Sequence, residues 1–117
     1  MAQLDTSQGE LLSLALDASA RLERRVEAID ALALFDDDAV LRTLIHLSQD
    51  ASIVTPLRMA AGRSLARYCY RRLTDVDDLV MANMTEEADD AYDSEIARLL
   101  DLNPGSVMKR GVVGSGR

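Results

Sequence analysis

Arg58, Arg63, Arg67, Arg71 and Arg72 recur at spacings of four or five residues in a chain that is acidic as a whole, with a formal net charge of -7. On a helix this spacing draws a basic line. A guanidinium can hold a carboxylate or a phosphate through two parallel hydrogen bonds. The line therefore either pairs with acidic helices of the same chain or grips an anionic partner, and both readings stay open here. Farther along, Asp89, Asp90 and Asp93 gather carboxylates on a second helical stretch. Such groups are ordinarily just solvated; as a functional feature they would form an acidic docking face. The candidate partner-binding set is thus Arg58, Arg63, Arg67, Arg71, Asp89, Asp90 and Asp93.

Other reactive side chains are few. His46 is the single histidine and Cys69 the single cysteine, so neither has companions for a metal cluster and no internal disulfide can form. Cys69 lies beside two tyrosines in an apolar helix and reads as a small buried side chain. Asp36, Asp37 and Asp38 lack the alternating ligands, the glycine and the twelfth-position glutamate of a calcium loop, so they read as helix caps. There is no glycine-rich phosphate loop, no nucleophile elbow and no HExxH. No catalytic, metal or cofactor residue is assigned, and a non-enzymatic protein is expected.

Composition narrows the partners. A negative chain makes unaided binding to nucleic acid or to anionic membranes unfavourable, whereas a basic protein would be electrostatically welcome. No segment approaches the roughly 18 apolar residues of a membrane span. The start, MAQLDTSQGE, has neither part of a signal peptide, so a cytoplasmic location is expected. Hydrophobic residues make up 48 % and aromatics 3 %, which calls for an aliphatic core of Leu and Ala.

The elements that would position these groups are helices. Ser7 with Glu10 fits a capping box, opening a helix over about 8–19 that would cover one end of the fold. Leu22, Val26, Ile29, Leu32 and Ala33 stripe a second helix over about 21–35. The aspartate run ends it and starts a third, about 38–48. Thr55-Pro56 reads as an N-cap followed by a first-turn proline, opening a fourth helix over about 56–73 that carries the arginine line. Gly62 sits inside it and reads as a close backbone crossing with a neighbouring helix. Thr74 with Asp77 resembles a cap for a fifth helix, about 75–83, and Thr85 for a sixth, about 86–101. Residues 1–7 are expected to fray. Residues 8–102 form one helical domain. Residues 103–117, after Asn103-Pro104-Gly105, are expected to be a flexible, basic, Gly-rich tail.

A shift of about 33 residues lays Arg25 on Arg58, Val26 on Met59, Ala28 on Ala61, Leu32 on Leu65, Ala33 on Ala66 and Phe35 on Tyr68, a spacing typical of helical repeats. The strings VEAIDALALFDDDAVLRTLIHL and PLRMAAGRSLARY resemble HEAT-like repeats of the short bacterial, phycobilisome-lyase type, over about residues 21–83. The resemblance implies an all-α, short α-solenoid of antiparallel helix pairs, about six helices, that binds another protein as a scaffold or adaptor. A chain with so few repeats also leaves a homo-oligomer open. Two other functions fit: a small acidic inhibitor or immunity protein neutralising a basic toxin or nuclease, and a bilin lyase-like subunit.

Overall fold

A computed structural model describes residues 7–113. Its helices are α1 (Gln8–Leu16), α2 (Leu22–Leu32), α3 (Asp38–Gln49), α4 (Thr55–Tyr70), α5 (Asp78–Ala82) and α6 (Glu86–Leu102). Two short strands, β1 (Thr74–Val76) and β2 (Lys109–Val113), complete it. The fold is mostly helical, as expected.

Local chemistry sets most of the boundaries. Ser7 and Glu10 close the capping box at the start of α1. Asp37, Asp77 and Thr85 each accept a backbone amide in the first turn of α3, α5 and α6, satisfying donors that have no partner within the helix. The start of α4 differs by one residue from the sequence reading: Val54 is the N-cap, and Thr55 and Pro56 occupy the first turn. α4 also stops at Tyr70, not near 73. Arg71 to Leu73 form a turn, and Leu73 takes φ +51°, a left-handed conformation that ends the helix.

α4 is the centre of the molecule. It packs on α2, α3, α6 and β1, and nine of its residues are buried, from Leu57 to Cys69. The hydroxyl of Ser64 donates to the Ile29 carbonyl at 2.7 Å, Arg63 and Arg67 meet Asp30, and Arg71 meets the carbonyls of Ala33 and Leu34. These contacts advance together along both helices, so α2 and α4 run in the same direction. The same holds for α4 and α6, where Arg58 meets Glu87 and Arg67 meets Glu95. α3 runs against α4: its first turn lies by the last turn of α4, where the Tyr68 hydroxyl donates to the Asp37 carbonyl at 3.4 Å.

Gly62 is the close crossing. A Cβ there would overlap the carbonyl oxygen of Ala88 and lie 3.0 Å from its Cα, so α4 and α6 touch backbone to backbone. Leu32 and Leu65, equivalent under the 33-residue shift, are both fully buried, as are Ala28 with Ala61 and Ala33 with Ala66. Met59 is exposed where Val26 is half-buried, and Phe35 is half-buried where Tyr68 is buried.

Two expectations need correction. β1 replaces the first turn of the expected fifth helix and places a strand in mid-chain. It pairs in parallel with β2, with an irregularity between Thr74↔Lys109 and Val76↔Val113. The second correction follows: a strand lies inside the segment expected to be a loose tail from residue 103. Strand pairing answers to backbone groups 35 residues away, a signal absent from local apolar spacing. The expected fraying of residues 1–6 lies outside the described residues, as does the tail after 113. Among the described residues no helix is long and apolar enough to cross a membrane.

Candidate interaction face

The outward side of α2, α4 and α6 carries Arg63, Arg67, Arg71 and Arg98. Arg63 grips both oxygens of Asp30 at 3.2 and 3.3 Å. Arg67 also approaches Asp30, at 3.6 Å, and donates from Nε to Glu95 at 2.9 Å. Arg98 closes on Glu95 at 2.6 and 3.0 Å. The result is a ladder, Arg63–Asp30–Arg67–Glu95–Arg98, crossing three helices. Glu95 is only 6 % exposed. Arg98, and Arg67 with it, hold its carboxyl down to about 2 against the opposing effect of burial.

Arg58, Arg71 and Arg72, the rest of the line, are also engaged within the chain. Arg58 pairs with Glu87 at 3.3 Å and donates to the carbonyls of Ala51 and Ile53, tying the α3–α4 connection to α4. Arg71 donates to the carbonyls of Ala33 and Leu34, capping the end of α2. Arg72 pairs with Asp36 and lies 3.6 Å over the Tyr68 ring. Four of the five arginines of the line pair with carboxylates of the same chain, and Arg71 meets carbonyl oxygens alone.

The acidic set stays together on α6, but its members differ in exposure. Asp90 is exposed on one wall of a groove. Asp89 is half-buried, with one oxygen lacking a hydrogen-bond partner. Asp93 has its carboxyl held above the usual range by burial first, then by the charges of Asp89, Asp75 and Asp90. Among the described residues, no cation pairs with any of the three.

Two grooves flank the ladder. One, of about 410 Å³, lies between α4 and α6 and is lined by Met59, Arg63, Glu87, Asp90, Ala91, Ser94, Glu95 and Arg98. The second, of about 360 Å³, lies where α2, α4 and α6 meet; Leu34, Tyr70, Arg71 and Leu99 are among its walls. Leu34 is 73 % exposed beside it and Met59 41 % exposed beside the first. Apolar side chains standing beside open grooves suit occupation by other side chains.

Asp30, Glu95 and Arg98 were not singled out from the sequence. A signal for Asp30 was present: the 33-residue shift that lays Leu32 on Leu65 also lays Asp30 on Arg63, a residue of opposite charge. Glu95 and Arg98 fall beyond the aligned stretch.

The remaining reactive groups serve the fold. Cys69 is fully buried, and burial pushes its thiol up to about 12, so it is no nucleophile at neutral pH. The hydroxyl of buried Tyr92 donates to Asp75, tying α6 to β1. His46 is exposed on α3, beside Leu16 and Arg42. Asp37 caps α3, accepting from the Ala39 amide at 2.7 Å. Among the described residues, no three His, Cys, Asp or Glu side chains are grouped to hold a metal ion. Comparison with protein-family models, with curated proteins and with solved structures finds no match for this chain.

Proposed function

We propose that this chain is a non-enzymatic protein-binding module, a short HEAT-like solenoid whose contact surface is the outward face of α2, α4 and α6. The observation that carries the reading is the pair of grooves flanking a closed ion ladder, with Leu34 and Met59 exposed beside them. The ladder fixes the spacing of three helices, so the grooves are formed before a partner arrives, which lowers the ordering cost of binding. The like direction of α2, α4 and α6, with α3 running against α4, supports the solenoid reading.

The test is capture of interacting proteins by the tagged full chain and three variants. Leu34→Asp and Met59→Asp each put a charge on the face; Leu79→Asp puts one on α5, at a residue 71 % exposed. Proteins held by the parent and by Leu79→Asp, and lost with both face variants, are the expected result. Equal capture by all four chains overturns the assignment of the face.

A further inference from the structure

The face is electrically unequal along its length. At the α4/α6 groove the carboxylate of Asp90 is exposed and pairs with no cation among the described residues; Asp93 feels its charge, and Glu86 lies one helical turn before Asp90 on α6. At the other end Arg71 is exposed, and its guanidinium meets carbonyl oxygens where the ladder arginines meet carboxylates. Between the two ends the ladder sets three arginines against two carboxylates, an excess of one positive charge. Met59, in the wall of the first groove, lies twelve residues before Arg71 on α4, about 18 Å of helix.

A surface with an acid at one end, a cation at the other and an apolar groove beside each is complementary to itself when turned through a half-circle. We infer that a second copy of this chain docks on the α2/α4/α6 face as an isologous dimer, Asp90 of each copy meeting Arg71 of the other and Leu34 of each entering the other's α4/α6 groove. The inference rests on the reading of this face as a contact surface and names its occupant. Three observations point to a second copy. Leu34 is 73 % exposed, a large apolar side chain that a two-fold partner would cover. The like-charged carboxylates around Asp93 have no compensating cation among the described residues, and an incoming guanidinium would supply one. Each copy offers both halves of the charge pair, so one contact type is made twice.

Sedimentation equilibrium of the purified full chain, from micromolar to about 1 mM, is the direct measurement. A concentration-dependent dimer is expected. Leu34→Asp, at an exposed residue, should leave a monomer at every concentration. Asp90→Arg and Arg71→Glu should each weaken association at least tenfold, because each sets like charges against one another. Mixed in equal amounts, these two variants should regain the parental dimer: the introduced arginine then meets the introduced glutamate, and the native pair persists. Circular dichroism checks the fold of Arg71→Glu, which loses a cap on α2; if it unfolds, Leu34→Asp and Asp90→Arg decide. A parent that stays monomeric, a dimer indifferent to the variants, or folded variants whose mixture stays monomeric overturns the inference. A monomer that still captures a different protein through Leu34 and Met59, a basic peptide included, removes the second copy and keeps the face; loss of that capture as well removes the face.

Discussion

The two grooves on either side of the ladder share α4 as a wall but are held by different means. At the α4/α6 groove, the backbones touch at Gly62 and Ala88, and Arg58, Arg67 and Arg98 meet carboxylates of α6. At the α2-side groove, Arg71 is spent on two carbonyl oxygens, and α2 and α4 are joined by the Ser64 hydroxyl and Asp30. One wall is fixed by close approach and charge, the other by caps and one shared carboxylate. Arginines of one helix, four or five residues apart, thus do separate jobs according to what lies opposite.

Changes beneath both grooves should have the largest effect. Leu32→Asp and Leu65→Asp each bury a charge at a fully enclosed site, with a loss of more than about 4 kcal/mol. Loss of the cooperative thermal transition in circular dichroism is the expected reading for both. A variant melting like the parent would mean that the two walls have no common core.

Next comes Gly62→Val, which separates α4 from α6 without touching α2. A loss of about 3 kcal/mol in urea unfolding is expected. Hydrogen exchange should rise along α6 more than along α2; equal rises would erase the distinction between the walls.

Glu95→Gln removes the negative charge shared by Arg67 and Arg98, leaving one amide oxygen to accept, and should cost about 1–3 kcal/mol. The sign of its pH effect is fixed. The folded carboxyl titrates at about 2 against an ordinary 4.5, so its contribution is complete above 4.5 and is lost as pH falls toward 2. Acid unfolding followed from pH 6 to 2 should be shallower in the variant; an unchanged profile would show that Glu95 adds nothing through its charge.

The smallest change is Asp90→Asn. It removes an exposed carboxylate without an ion pair among the described residues, and stability should stay within about 0.5 kcal/mol. A clear fall in the melting temperature would place Asp90 among the groups holding the wall.

Much of this was legible from residue types. Leu32 and Leu65 were placed by apolar spacing, α1 and α6 by Ser7, Glu10 and Thr85, and Gly62 by its position inside a helix. Those signals are local, and local physics sets them. What stayed hidden depends on distant partners. Thr74-Asp75-Val76 reads as the cap and first turn of the fifth helix until β2 is beside it. The arginine line favoured internal pairing but named none of its partners, because Asp30 and Glu95 lie 33 and 28 residues from the arginines they meet. The grooves belong to three helices at once, and no single stretch records them.

On the proposed repeat reading, the pairing of Arg63 with Asp30, 33 residues apart, also bears on how such a molecule can grow. Copying the segment that contains α2 and inserting it beside the original would set aspartate against aspartate at this seam; copying the segment that contains α4 would set arginine against arginine. Tandem duplication, the simplest route to a longer array, is therefore penalised at this position unless one of the two charges changes with it.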